Sequence, residues 1–242
     1  AGVFSVVKVV VYVFGPQLLA AEASAQWLPW AAGFTLLVAS VIALRQDNLK
    51  ARLAYSTVSQ LSYVILAAAL LAPLSLVGAA LHIAAHAFGK ITLFFAAGSI
   101  YTASHKTEIS ELDGIGRQMP WTMAAFAVGS LSMIGLPPAA GFVSKWYLLS
   151  GAMQTGAWAA VAVIAASTLL NAAYFLPIVY AAFFKPARIH HHGHHHYHGH
   201  HGEAPPPIVA ALTVSAALTV LLFLFPGPAL ELAEQMLRGS PP

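Results

Sequence analysis

Three residues that can carry a proton stand in an otherwise apolar stretch, HIAAHAFGKITLFF. His82, His86 and Lys90 follow one another at intervals of four residues. Each interval turns only about 40° around a helix, so all three share one face and cover about 12 Å of its axis. Histidine titrates near neutral pH, and lysine does so when it is desolvated. The spacing favours a ladder of proton-exchanging groups; the alternative is that each histidine only hydrogen-bonds a neighbouring helix while Lys90 extends towards an interface.

A second feature is SMIGLPPAAGFVSKWYLL, in which two prolines interrupt an apolar run. Proline removes a backbone donor and breaks a helix, and a broken helix at membrane depth occurs where the backbone faces protein or a water-filled cavity. Lys145 follows seven residues after Pro138. A lysine beside exposed carbonyl groups suits ion or proton handling. A simple kink, with Lys145 near an interface where Trp146 and Tyr147 would fit an aromatic belt, is an equal alternative on these residues alone.

The composition identifies the class of protein that must position these side chains. Of 242 residues, 59% are hydrophobic and only 8% are charged, far below the roughly 25% of soluble domains. The sequence therefore predicts an all-α integral membrane protein. The formal net charge of +3 comes from a few Lys and Arg and does not support nucleic-acid binding. With no cysteine, the chain lacks thiolate ligands for an iron–sulfur cluster and a thiol nucleophile.

Seven apolar runs are candidate membrane spans, each bounded by polar residues, proline or glycine. They cover about 1–14, 29–44, 53–71, 74–101, 120–149, 157–184 and 208–225. The first run is short and lacks a positively charged leader, so it does not resemble a signal peptide, and we expect a fragment of a longer protein, a processed product or a missed start.

The side of the membrane on which each loop lies follows from alternation of the spans. Seven basic residues then fall on one side and one falls on the other, and such residues are enriched on the cytoplasmic side. The seven are Arg45, Lys50, Arg52, Lys106, Arg117, Lys185 and Arg188, and the one is Arg238. We expect the first group, with the His-rich loop, in the cytoplasm and the C-terminus outside.

The His-rich segment HHHGHHHYHGHHGEAPPP contains nine of the twelve histidines. Imidazole binds zinc or nickel, but functional metal sites hold a few ligands in fixed geometry. The low-complexity composition and the proline-rich end favour a variable solvated linker. A weak metal site is the alternative, and its ligands would be His190, His191, His192, His194, His195, His196, His198, His200 and His201.

Three long segments resemble a known family: DNLKARLAYSTVSQLSYVILA, HIAAHAFGKITLFFAAGSIY and MPWTMAAFAVGSLSMIGLPPAAGFVSKWYLL. They are similar to the antiporter-like membrane subunits shared by respiratory complex I, membrane-bound hydrogenases and Mrp-type cation/proton antiporters. STVSQLSY and GLPPAAGFVSKWYL look closest to the MrpD branch. The chain ends soon after FLFPGPALELAEQMLRGSPP, whereas the most distal antiporter-like subunit of complex I continues into further helices.

The resemblance implies a fold and a set of site residues. Relatives contain two inverted five-helix repeats, each with a broken helix, and the second repeat would span residues 29–184 here, while the upstream half is missing. The resemblance places the proton-transfer residue of the second broken helix at Lys145 and the central polar axis at Lys90, His86 and His82; Lys8 is a weaker match near the repeat junction. The broken helix itself would comprise Gly135, Pro137, Pro138 and Gly141.

Three functions from different classes follow. The first is a proton-translocating, MrpD-like subunit of a Na⁺ or K⁺/proton antiporter. Its alternative is a proton-pumping subunit of an NADH-quinone oxidoreductase or a membrane-bound hydrogenase. In each case we expect the chain in the cell (inner) membrane beside other membrane subunits. The second is a metal-cation transporter or metal-binding regulator using the His-rich loop. The third and least favoured is a haem-carrying subunit, because no intramembrane histidine lies outside one helix.

The remaining expectations concern chemistry and boundaries. No glycine-rich phosphate loop and no nucleophile with a base at helical spacing occurs, so we expect no catalytic site and no cofactor in this chain alone. Because no acid lies inside a predicted span, the counter-charge for the lysines would come from the missing half or another subunit. We expect an antiporter-like domain over residues 1–186, a His/Pro-rich loop over 187–206, and a last span with an amphipathic tail over 207–242.

Overall fold

The computed structural model describes residues 2–15, 18–19, 26–186 and 202–238, and this part of the chain consists of helices joined by loops, without an extended strand. The predicted all-α class is confirmed. Within the described ranges there are nine α-helices: α1 Gly2–Lys8, α2 Trp27–Arg45, α3 Leu49–Ala69, α4 Pro73–Ser104, α5 Pro120–Ile134, α6 Ala140–Gln154, α7 Trp158–Phe184, α8 Pro206–Leu224 and α9 Gly227–Arg238. A π-helix, Val9–Phe14, continues α1.

Four of these helices are long and apolar enough to cross a membrane: α2, α4, α7 and α8. The segment Gly2–Phe14 and helix α5 are shorter apolar helices. All seven predicted spans are helical, and the run predicted at 120–149 is divided into α5 and α6. The chain is therefore a multi-pass, membrane-embedded protein with one interrupted span.

Proline and left-handed residues set several helix ends. Proline occupies the first turn of α4, α5 and α8, where the missing N–H leaves no helical hydrogen bond unmade. Helix α5 ends at Gly135, which has a φ of 90°, a conformation that glycine adopts without a Cβ penalty. The break in the fifth span is thus fixed from the α5 side by a residue suited to stopping a helix.

Helix α4 runs antiparallel to α5 and α6 along its whole length. As the residue number in α4 rises, the residue number of its contact partner falls, first through α6 and then through α5. The pairs are Ser75 with Gly151, Gly78 with Leu148, His82 with Ser144, Gly89 with Met133, Leu93 with Gly129, and Ser99 with Thr122. Because the order never reverses, α5 and α6 together form one interrupted span rather than a hairpin.

The loops rich in basic residues meet at one end of the bundle. Asn48, before α3, is bridged to Glu108 in the loop after α4. Asp113 in that loop lies 3.5 Å from Lys185 at the end of α7. Glu203, before α8, accepts hydrogen bonds from the first residues of α5. We call this side of the molecule the loop end.

Two apolar clusters occupy different depths of the bundle. The cluster towards the loop end includes Leu53, Leu93 and Phe175, and the cluster towards the opposite end includes Leu36, Leu148 and Ile164. Between these depths the central helices place a group of buried polar side chains. They are Ser56, Ser59 and Gln60 in α3, His82, His86 and Lys90 in α4, and Ser167 and Asn171 in α7. The bundle therefore contains a polar layer at mid-depth, enclosed by apolar layers.

Candidate functional site

The predicted ladder on α4 lies inside this polar layer. His82 is 0% exposed, His86 9% and Lys90 5%. The two imidazole rings are stacked with their centroids 6.4 Å apart. The common face expected from the spacing is thus turned into the bundle and not towards lipid.

The helix break frees two specific backbone acceptors. In an α-helix the carbonyl of each residue accepts from the N–H four positions later. For Met133 and Ile134 those positions are Pro137 and Pro138, which have no N–H. Both carbonyls are buried, so they require donors from elsewhere.

Lys145 supplies these donors. Its Nζ lies 2.8 Å from the carbonyl oxygen of Met133 and 3.0 Å from that of Ile134. The hydroxyl of Tyr63 is 3.4 Å away, and the ammonium lies 4.5 Å from the centroid of the Tyr63 ring. Lys145 is buried, with 6% exposure, whereas its neighbour Trp146 is 59% exposed. The lysine therefore points into the break, and the adjacent tryptophan points outwards.

Two amides that no sequence pattern singled out also reach this break. Gln60 donates from Nε2 to the Met133 carbonyl at 3.1 Å, and Asn171 donates from Nδ2 to the same oxygen at 3.3 Å. Asn171 accepts in turn from the hydroxyl of Tyr174 at 2.5 Å. The Met133 carbonyl is therefore a shared acceptor for α3, α6 and α7.

Lys90 also contacts α3, but nearer to the beginning of that helix than Gln60 and Tyr63. It donates to the carbonyl of Leu53 at 2.9 Å and to the hydroxyl of Ser56. Ser56, Gln60 and Tyr63 are four and three residues apart, so they share a helix face. This face links Lys90 to Lys145, because Ser56 contacts the first lysine and Tyr63 contacts the second.

His82 connects α4 to the start of α6. Its Nδ1 lies 2.9 Å from the hydroxyl of Ser144, which donates to the carbonyl of Gly141 at 3.1 Å. The tautomer of His82 decides whether its Nδ1 donates to the Ser144 hydroxyl or accepts from it. The Nε2 atoms of His82 and His86 are buried without a protein partner in the described part of the chain. Such atoms favour a hydrated interior, because an unmet buried polar atom is costly.

Comparison with known proteins identifies the family. Residues 1–189 match the family model described as NADH:quinone oxidoreductase/Mrp antiporter, TM. The chain belongs to this family. The predicted resemblance to the antiporter-like superfamily is therefore confirmed.

Relatives of this antiporter family come from more than one type of complex. The chain is 44% identical over 160 residues to NADH-quinone oxidoreductase subunit N of Desulforudis audaxviator, covering 66% of this chain and 32% of that protein. It is 35% identical over 190 residues to NADH-quinone oxidoreductase subunit L of Rickettsia bellii, covering 78% of this chain and 28% of that protein. The chain thus spans about a third of these relatives' length.

Solved structures support the same fold. The chain is similar to respiratory complex I from Thermus thermophilus, with a TM-score of 0.76 and 24% identity over 98% of this chain and 49% of that one. It is also similar to the Mrp complex from a Dietzia species, with a TM-score of 0.72 and 23% identity over 90% of this chain and 48% of that one. Both branches of the family share the fold, and these similarities do not assign the chain to either branch.

Of the remaining predicted residues of this antiporter-family chain, the structure describes Lys8. Lys8 ends α1, is exposed, and is not among the contacts of Lys90 or Lys145. Residues 190–201 of the His-rich loop lie outside the described residues. In the ranges that the structure does describe, no group of three or more His, Cys, Asp or Glu side chains could hold a metal ion.

The polar layer gathers positive groups without acidic ones. Among the buried polar residues of the described ranges, the only acidic one is Asp113, which lies in the loop near Lys185. Lys90 and Lys145 instead face carbonyl and hydroxyl oxygens. The dipoles of these groups, and the negative end of α5 at Met133 and Ile134, stabilise positive charge there.

Proposed function

We propose that this chain is a proton-translocating membrane subunit in which Lys90 and Lys145 exchange protons across the polar layer. The observation that supports this most strongly is the pair of buried lysines joined by one face of α3. Buried ionisable residues within a membrane are costly and usually line proton or ion paths. Two such lysines are buried here, with no acidic side chain beside either of them among the described residues.

The proposed path uses both histidines as well as the lysines. His86 is one turn from Lys90, and the ring of His82 lies 5.5 Å from that of Tyr63, which contacts Lys145. Amides such as Gln60 and Asn171 hold hydrogen bonds but do not readily pass on a proton. Water beside the unpartnered Nε2 atoms would therefore carry protons between the fixed groups.

Proton translocation by this chain would be driven through a larger complex. We propose an MrpD-like role in a Na⁺ or K⁺/proton antiporter, supported by the segments STVSQLSY and GLPPAAGFVSKWYL. A specific observation favours the alternative of a proton-pumping subunit of an NADH-quinone oxidoreductase: the 44% identity to a subunit N. In either case the partners are other membrane subunits and the bilayer, and redox or nucleotide chemistry would take place in those subunits.

The orientation belongs to the same proposal. The loop end carries Arg45, Lys50, Arg52, Lys106, Arg117 and Lys185. Positively charged loops favour the cytoplasmic side. We therefore place the loop end in the cytoplasm of a cell (inner) membrane, with the C-terminus outside.

Proton transport by inverted vesicles tests the proposal. Vesicles would carry the full-length protein in its complex as wild type, Lys90→Ala, Lys145→Ala or the loop-end control Lys106→Ala. We expect the first two variants to transport at less than about a tenth of the wild-type rate and the control to match wild type. Full transport by both buried-lysine variants in an assembled complex would refute the proposal.

Two further measurements on the same vesicles distinguish the candidate complexes and functions. If Na⁺ or K⁺ dissipates a preformed proton gradient, the chain works in an antiporter; if NADH or another reductant builds the gradient, it works in a redox pump. Deleting residues 190–201 should leave transport intact. Loss of transport on that deletion, with Lys145→Ala retaining it, would instead favour the metal-cation transporter.

A further inference from the structure

The Lys145 ammonium lies in a cage of neutral oxygen atoms. Its Nζ is 2.8 Å from the Met133 carbonyl oxygen, 3.0 Å from that of Ile134 and 3.4 Å from the Tyr63 hydroxyl. We infer that these oxygen atoms form a monovalent-cation site and that the lysine is its tethered occupant. A free cation of similar size, such as potassium or a small alkylammonium, would bind the same atoms when the lysine side chain is absent.

The backbone makes these oxygens suitable for an ion. Pro137 and Pro138 cannot donate to the Met133 and Ile134 carbonyls, so the two oxygens do not take part in the usual helical hydrogen bonds. Carbonyl oxygens that replace a hydration shell, and the carboxyl ends of interrupted helices, are the means by which membrane proteins hold alkali cations. Both oxygens lie at the carboxyl end of α5, where the helix dipole favours a cation.

An independent observation comes from Gln60. This residue is 0% exposed, and its Oε1 has no hydrogen-bond partner in the described structure. The Nε2 of the same amide lies 3.1 Å from the Met133 carbonyl oxygen. A half-turn of the amide would bring Oε1 beside the Met133 carbonyl oxygen, where only a cation between the two oxygens would stabilise it. An unpartnered buried acceptor is therefore present at the edge of the cage.

The dimensions indicate which ions fit. The two carbonyl contacts are those of an ammonium group, and potassium and rubidium are close to ammonium in size. Sodium is smaller and would require the carbonyl oxygens to move closer together than they are around the ammonium group. We therefore expect potassium, rubidium and methylammonium to bind more tightly than sodium.

The site also has a consequence for transport. The lysine ammonium and a free cation need the same oxygens, so only one of them occupies the cage at a time. This deepens the proposed function at the same residue, but binding to the cage does not depend on proton transport. The two ideas can therefore fail separately.

Equilibrium binding of radioactive rubidium to the full-length protein in its complex tests the inference. The variants are Lys145→Ala, which empties the cage, Lys145→Ser, which empties it with a polar wall, and Lys145→Met, which refills it with an apolar chain. We expect one rubidium ion per chain in the first two, displaced by potassium or methylammonium and poorly by sodium. Wild type and Lys145→Met should not bind.

Two controls locate the ion. Lys106→Ala removes a lysine at the loop end and should create no rubidium site. Gln60→Leu added to Lys145→Ala should weaken rubidium binding at least severalfold, because it removes Oε1. The unfolding temperature of Lys145→Ala should be higher in potassium chloride than in choline chloride, since choline is too large for the cage.

The inference is overturned if assembled Lys145→Ala and Lys145→Ser both fail to bind rubidium, or if wild type binds as much as they do. Equal binding with and without Gln60→Leu would place the ion elsewhere and would also overturn it. If the unfolding temperature of Lys145→Ala is no higher in potassium chloride than in choline chloride, the cage does not hold a free cation. Proton transport by wild type, measured on the same preparations, separates this failure from failure of the proposed function.

Discussion

Gly141 lies so close to Ser132 that a Cβ on the glycine would be 1.7 Å from the serine carbonyl oxygen. The serine hydroxyl also accepts from the Gly141 N–H at 3.2 Å. The first turn of α6 is therefore fixed against the last turn of α5, and the position of Lys145 in the break follows from this contact.

Gly141→Ala should disrupt that contact. The new methyl group meets backbone rather than a flexible side chain, so the two half-helices must separate, at a cost of about 2 kcal/mol or more. The unfolding temperature of the purified complex should fall. Gly98→Ala in α4 is the matched control, because its added Cβ would have no described atom within 4 Å apart from its own stretch of helix, and it should be neutral or stabilising by up to about 1 kcal/mol. Equal effects of the two variants would contradict the close approach.

Pro137→Ala combined with Pro138→Ala should restore the missing donors. New N–H groups compete with Lys145 for the Met133 and Ile134 carbonyls, so we expect transport to fall roughly tenfold without loss of assembly. Hydrogen exchange should show that the new amides are protected. Pro120→Ala provides the comparison, since a proline at the first turn of α5 replaces no helical hydrogen bond and its removal should leave transport unchanged. Wild-type transport by the double variant would show that the freed carbonyls are not needed.

Asn171→Leu should lower the free energy of unfolding more on its own than when it is combined with Tyr174→Phe. The leucine leaves the Tyr174 hydroxyl buried without its acceptor, at a cost of about 1–3 kcal/mol, whereas the phenylalanine removes that hydroxyl. A double-mutant cycle on unfolding free energies should therefore give a coupling of about 1 kcal/mol. Strict additivity would mean that the 2.5 Å hydrogen bond does not contribute to stability.

Glu203→Ala should weaken the start of α5. The Glu203 carboxylate accepts from the backbone N–H of Trp121 and Thr122 and from the Thr122 hydroxyl at 2.6 Å. Loss of such a cap costs about 1 kcal/mol, and Glu203→Gln should recover part of it. Glu231→Ala, at an exposed position of α9, serves as the control and should have little effect on the unfolding temperature. No difference between the alanine variants would mean that residues 202–205 do not stabilise α5.

Much of the fold could be predicted from local sequence. Apolar runs identified each helical segment of the membrane domain, because burial of the backbone in lipid requires helices. The interval of four residues predicted the common face of His82, His86 and Lys90. The two consecutive prolines predicted the broken helix, since they remove donors whatever surrounds them.

The polar side chains that complete the site were harder to find. Three of them are uncharged: Gln60, Asn171 and Tyr174. Since such residues occur in many membrane helices, none of them indicates a functional site by itself. The repeat of Ser56, Gln60 and Tyr63 at intervals of four and three was an available signal that these side chains share a face. Asn171 offered no comparable pattern, because its partners lie on other helices.

The sequence by itself determined the class of protein, the family, the helical segments and the two carbonyls that lose their donors. These properties depend on composition and on residues within a turn or two of one another. Only the tertiary structure decided that Lys145 donates to Met133 and Ile134, that Gln60 and Asn171 join it, and that Lys8 is exposed. Those relationships depend on how α3, α4, α6 and α7 pack at mid-depth, and packing between distant segments leaves no local signature in the chain.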